Sequence, residues 1–170
     1  MLIALLGASV IAHPSVYAER NATCIAPVMP EVLSWHIHLL FHQTNEEHTK
    51  GAVAIRKAYE AEFGSILGPD CQDTFAQTYN CMFPTIMSPD GPFLTGQWAI
   101  FLLPDSFYDT YTWMNQHRGE YDILIHPNTG CELEDHSNWA AWGGNVWEIN
   151  LDAMSHDMPG PWWNVPEIYL

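Results

Sequence analysis

Ser34-Trp35-His36-Ile37-His38-Leu39-Leu40-Phe41-His42 decides the fold, because two chemistries alternate along it. Successive side chains of a strand point to opposite faces. Trp35, Ile37, Leu39 and Phe41 therefore share one face, and His36, His38, Leu40 and His42 share the other. A strand over 34–42 would turn an apolar side to a core and line its other side with imidazoles.

A helix is predicted to follow. Thr44 and Glu47 have capping-box spacing, and Glu46 and Glu47 suit the positive end of a helix dipole. Ala52, Val53, Ile55, Tyr59 and Phe63 supply an apolar stripe, and Gly64 is placed to end it. Residues 65–95, rich in Pro, Gly, Asp and Cys, read as a disulfide-held excursion with one short strand near 83–87. Residues 97–103 form a second clear strand. Asp105 or Ser106 can cap a second helix, in which Phe107, Tyr111 and Met114 have i, i+4, i+7 spacing and which Gly119 would stop. Residues 122–126 read as a final short strand ended by Pro127. From Asn138 on, the chain is dense in Trp, Gly and Pro without clear periodicity. It reads as an irregular wrapping tail with one more short strand at 146–151.

This order of elements folds most simply as an α+β, ferredoxin-like split βαβ sandwich, with both helices on one face of an antiparallel sheet. The first and last strands are neighbours in that topology, which brings His36 and His38 close to His126.

Composition narrows the function. The 170 residues fit one core, and the net charge of −15, from 20 acidic and 5 basic side chains, argues against nucleic-acid and anionic-lipid partners. Residues 1–12 are almost wholly apolar, and Val16-Tyr17-Ala18 offers small residues where a signal peptidase reads. The reading is a signal peptide over 1–18, too short to span a bilayer, and one secreted, extracellular domain over 19–170. Asn21-Ala22-Thr23 is a glycosylation sequon just past the cut. Cys24, Cys71, Cys81 and Cys131 suggest two disulfides, for which three connectivities exist. Cys71–Cys81, closing a short loop, and Cys24–Cys131, tying the N-terminal arm to the loop after the last strand, are favoured. No pair has the close spacing of a cysteine metal site.

Residues i and i+2 of a strand project to the same side roughly 7 Å apart, close enough for two imidazoles to reach one metal ion. His36 and His38 meet this requirement, His126 shares a face with Leu124, and His136 follows ten residues later. Iron(II) oxygenases commonly combine two histidines with a carboxylate, for which Glu132, Glu134 and Asp135 are candidates. A lone H-x-H pair is a weak signal, since two same-face histidines of a strand are often ordinary surface or hydrogen-bonded residues. His42, His48, His117 and His156 gain no support from spacing and read as plain polar residues.

Three blocks carry a family resemblance: Trp35-His36-Ile37-His38-Leu39-Leu40-Phe41, then Asn115-Gln116-His117-Arg118-Gly119, then His126-Pro127-Asn128-Thr129-Gly130 followed by Glu132-Leu133-Glu134-Asp135-His136. In this order they resemble the DOPA 4,5-dioxygenase family over roughly 34–151. The resemblance implies a ferredoxin-like fold, often dimeric, and extradiol cleavage of a catechol such as DOPA. It also implies a divalent metal, iron(II) first and zinc second. His36, His38 and His126 would be the metal ligands, and His126 and His136 the catalytic histidines, His136 serving as a further ligand or as the acid/base group. Two positions depart from the family pattern. Phe93 stands where many relatives have a histidine, and Cys131 where many have an acidic residue. Phe93 and the eight tryptophans also suit a second function, a non-catalytic secreted protein that binds a pigment or another flat apolar ligand.

Overall fold

The computed structural model describes Cys24 and residues 27–71 and 78–154. The proposed signal segment, the Asn21 sequon, His156 and the end of the Trp/Pro-rich tail lie outside these residues.

The alternating stretch forms strand β1, Ser34–Phe41. Helix α1, Glu46–Phe63, follows it, then β2, Cys81–Met82, and β3, Gly96–Leu102. Helix α2, Pro104–His117, and β4, Asp122–Asn128, complete the ferredoxin-like set. A short helix α3, Glu132–His136, and strand β5, Ala141–Gly143, are added at the end. The sheet order is β2-β3-β1-β4-β5, with every pairing antiparallel. The expected α+β sandwich is present, and β1 lies between β3 and β4.

That central position explains the strand's sequence. Ile37, Leu39 and Phe41 enter a core with Trp98, Ile100 and Leu102 of β3 and Ile123 and Ile125 of β4. Ala52 and Tyr59 of α1 and Met114 of α2 cover the same face, so both helices lie on one side. Two polar handles fix their seating. The Trp98 indole donates to the Ala52 carbonyl at 3.0 Å, and the Tyr59 hydroxyl bonds the Thr110 hydroxyl at 2.9 Å. Each fully buried Leu, Ile or Phe contributes about 1.5–3 kcal/mol.

Several boundaries differ from the sequence reading. Asn45, not Thr44, caps α1, its side-chain oxygen accepting from the backbone N–H groups of Glu47 and His48. Gly64 ends that helix in a right-handed conformation. Neither Asp105 nor Ser106 caps α2; the helix opens on Pro104, whose fixed φ and missing N–H suit a first turn. The short strand falls at 81–82 instead of 83–87, because the disulfide partner Cys81 is the residue that pairs with Phe101. Pro127 does not end β4. It lies past the part of the strand paired with β5, where a missing N–H is tolerated. The extra strand forms at 141–143 and not at 146–151, which instead holds one bridge, Ile149 to Phe93, and a 3-10 turn at Leu151–Ala153. Gly144, at φ +100°, makes the turn after β5 and lets Asp122 accept from the Asn145 backbone N–H at 2.7 Å and the Trp147 indole at 2.6 Å.

Candidate metal centre

The face of the sheet turned away from α1 and α2 assembles its side chains through register. His36 of β1 stands directly opposite His126 of β4, and His38 opposite Leu124. On the other side, His36 pairs with Phe101, His38 with Ala99 and Leu40 with Gln97 of β3. Even-numbered residues of β1 therefore meet residues of both neighbours on one surface. His136 arrives from α3, and none of the four histidines is more than 3% exposed.

Among the described residues, the candidate ligand atoms of His36, His38 and His126 lie within 4.8 Å of one another. The His38 and His126 Nε2 atoms are 3.1 Å apart. The opposite edges of the rings are tied to oxygen. His38 Nδ1 bonds Gln97 Oε1 at 2.6 Å, His126 Nδ1 the Pro127 carbonyl at 2.8 Å, and His136 Nδ1 the Glu132 carbonyl at 2.9 Å. The Pro127 and Glu132 carbonyls only accept, so His126 and His136 carry the hydrogen on Nδ1 and keep a lone pair on Nε2, and Gln97 Oε1 favours the same form of His38. With His38 in that form, two lone pairs meet at 3.1 Å and repel unless a cation lies between them. Imidazole nitrogens about 2.1 Å from one ion at near right angles are about 3 Å apart, so the spacing fits a shared metal. Anchoring of the outer ring nitrogen on oxygen is also the usual support of a metal-bound histidine. The residues present fit a divalent ion held by neutral imidazoles.

Electrostatics agree with that donor set. Burial first, and then the adjoining His136, His36 and His38 imidazoles, hold His126 well below the usual imidazole range. His126 is therefore neutral at physiological pH, the form in which an imidazole can bind a cation.

Among the described residues, the donor atoms close enough to share an ion are those of His36, His38 and His126, the set that the family resemblance implies, and none of the candidate carboxylates is among them. Asp135 is engaged elsewhere. Its oxygens accept from the Thr129 backbone N–H at 2.9 Å and the Thr129 hydroxyl at 2.7 Å, fixing α3 to the end of β4. Burial pushes the Asp135 carboxyl up to about 7. Glu134 accepts from Asn138. The His136 ring centroid lies 3.9 Å from that of His126 but 6.3 Å from that of His38, beside the three-histidine group and not in it.

Aromatic rings wall the centre. Phe83 and Phe101 meet the His36 ring edge-on at 5.4 and 5.5 Å. Phe93 lies against His38, 4.5 Å between centroids and tilted by 33°. It is held there by backbone bridges to Asp90 and Ile149. Both disulfides, Cys24–Cys131 and Cys71–Cys81, are formed, and they flank the site. Cys131 precedes α3, which carries His136, while Cys71 and Cys81 pack with Phe83 and Phe101 beside His36. His42 and His48 stack on each other away from the cluster, and His117 stacks on Trp113 of α2. Gln97 was missed by sequence reasoning. Its signal was a polar residue within the apolar strand 97–103, on the same alternation as Ala99 and Phe101.

Comparison with known proteins identifies the family. The profile of the Dopa 4,5-dioxygenase family matches residues 35–153, which include all four histidines of the site. A protein of Amanita muscaria named DOPA 4,5-dioxygenase is 31% identical over 121 residues, covering 71% of this chain and 49% of the relative. The chain thus spans about half the length of that curated relative. A crystal structure of a candidate dioxygenase from Nostoc punctiforme shares the fold, with a TM-score of 0.58 and 22% identity over 72% of this chain and 90% of that one. With the profile match spanning most of its length, the chain belongs to the Dopa 4,5-dioxygenase family.

Proposed function

We propose that this protein is an exported extradiol dioxygenase, which uses a divalent metal, iron(II) first, to open the ring of DOPA or a similar catechol with O2. The observation that carries the reading is the buried group of His36, His38 and His126, with two Nε2 atoms 3.1 Å apart and the Nδ1 atoms of His38 and His126 tied back to oxygen. Iron(II) bound there would supply Lewis acidity and a common meeting point for catechol and dioxygen. The chain's own residues do the rest. The three imidazoles hold the ion. His136, beside His126 and with its Nδ1–H on the Glu132 carbonyl, presents Nε2 as a base for a catechol hydroxyl proton. Burial and the Phe83, Phe93 and Phe101 rings exclude water and suit a flat aromatic substrate. Export is supported by the apolar segment 1–12, the Asn21 sequon and the two disulfides. No helix among the described residues is long and apolar enough to cross a membrane.

The test is anaerobic reconstitution with iron(II), followed by catechols and oxygen. The expected result is a yellow ring-opened product formed with uptake of one O2 per ring. Metal-loaded protein that consumes no oxygen across a catechol panel would overturn the reading. One observation favours a second function, a non-catalytic protein that binds a pigment or another flat ligand. Phe93 packs directly on His38, taking the space beside a ligand ring with a side chain that cannot coordinate. That function predicts coloured, ligand-loaded protein from the natural source, and turnover by the empty protein excludes it.

A further inference from the structure

We infer that Gln97 is a positioning residue that sets the tautomer of His38, keeping the hydrogen on Nδ1 so that Nε2 is open to a cation. The inference rests on the proposed metal centre and concerns how the apo site is kept ready for an ion. Three imidazoles of the site have their Nδ1 bonded to oxygen, but by two different means. His126 and His136 use backbone carbonyls, of Pro127 and Glu132, which no substitution removes. His38 uses a side chain, Gln97, at 2.6 Å. His38 is therefore the one ring of these three whose protonation pattern depends on the identity of another residue.

The consequence follows from the 3.1 Å between His38 Nε2 and His126 Nε2. Were the His38 hydrogen to move to Nε2, that atom would donate to the His126 lone pair at good hydrogen-bond distance. The two ligand atoms would then satisfy each other, and an incoming ion would have to displace that bond and its proton. An acceptor at Nδ1 opposes this closed state. Gln97 is placed for the task. It lies on β3 on the same face as His38, and its backbone N–H and carbonyl are both bonded to Ile86, at 3.0 and 2.8 Å. The side chain is 1% exposed, and its Nε2 has no hydrogen-bond partner among the described residues. Stability alone does not favour a buried amide with an unmatched donor, so the residue is better explained by what its oxygen does for His38.

The experiment uses metal-free protein with 15N-labelled histidine and reads tautomers from long-range 1H–15N correlation spectra, with His38 assigned by its loss in His38→Ala. Wild type is expected to show His38 protonated on Nδ1, Gln97→Met to shift it to Nε2, and Gln97→Glu, which keeps an oxygen in place, to return it to Nδ1. Zinc titration should show affinity falling roughly 10–100-fold in Gln97→Met and recovering in Gln97→Glu. Thermal unfolding of apo Gln97→Met should be no lower than wild type, which separates positioning from a structural role. Wild-type His38 protonated on Nε2, or an unchanged His38 tautomer in Gln97→Met, would overturn the inference. Wild type that takes up no metal would instead overturn the metal centre, while the apo spectra still decide what Gln97 does.

Discussion

The two faces of β1 are equally buried and chemically opposite. Ile37, Leu39 and Phe41 lie beneath α1 and α2 among Trp98, Ile100 and Ile123, and none of these three side chains brings a polar atom. One residue away along the same backbone, His36 and His38 are 2% and 0% exposed, but each ring carries two nitrogens that water would otherwise satisfy. Burial of the first set drives folding. Burial of the second opposes it unless each nitrogen meets a partner. Adjacent positions of one strand thus separate the core from the candidate metal ligands. Substitutions on the two faces should fail in different assays.

The largest effect is expected from His38→Ala, which removes one of two nitrogens 3.1 Å apart. Metal affinity should fall by more than the ~10–100-fold typical of losing a residue that only supports a ligand. Apo stability should change little, and His42→Ala, outside the cluster, should bind as wild type. Equal metal uptake by the two variants, measured by titration and elemental analysis, would break the separation. Leu39→Ala should show the converse. It leaves a cavity at a fully buried position and should lower unfolding free energy by about 2–5 kcal/mol in urea, with metal affinity of the folded protein unchanged. Next comes the double variant Cys24→Ser/Cys131→Ser, which opens a link spanning 107 residues at the edge of α3. A loss of about 2–4 kcal/mol is expected. Because α3 carries His136, catechol turnover should weaken while the three-histidine group still takes up metal.

The core face was the more legible of the two, because alternation of large apolar residues states its own purpose. The ligand face was legible in part. The H-x-H pair and the predicted neighbour relation of first and last strands brought His36, His38 and His126 together, since register in an antiparallel pair follows from topology. The neighbouring carboxylates could not be sorted by spacing alone. Asp135, Glu134 and Glu132 stood close in sequence to His136, yet only the fold shows Asp135 committed to Thr129. Gln97 escaped notice for a similar reason, since its role exists only once β3 is laid beside β1. Strand β5 is three residues long and carries no period to detect, and its pairing depends on the Gly144 turn and the Asp122 bonds. The shift of the α1 cap from Thr44 to Asn45 is a choice between neighbours of similar capping strength.

The smallest effect sharpens the contrast on the core side, where a few polar groups are buried after all. Tyr59 lies wholly inside beneath α1, and its hydroxyl bonds only to Thr110 among the described residues. Burial pushes the phenol from 10.0 up to about 12, with the Thr110 bond a smaller influence in the opposite direction. A raised folded-state value means that the native protein keeps this proton while the unfolded chain gives it up. The phenol's contribution to stability is therefore complete below pH ~10 and is lost as the pH rises from about 10 to about 12. Tyr59→Phe removes that titration together with the hydrogen bond. At neutral pH it should be less stable by about 1 kcal/mol, because the Thr110 hydroxyl loses a buried partner. Above pH 10 the wild type should lose stability faster than the variant, so that the two unfolding curves converge. Parallel curves through that range would show that the Tyr59 hydroxyl reaches water in the folded protein, and that the helix-covered face is less dry than its packing implies.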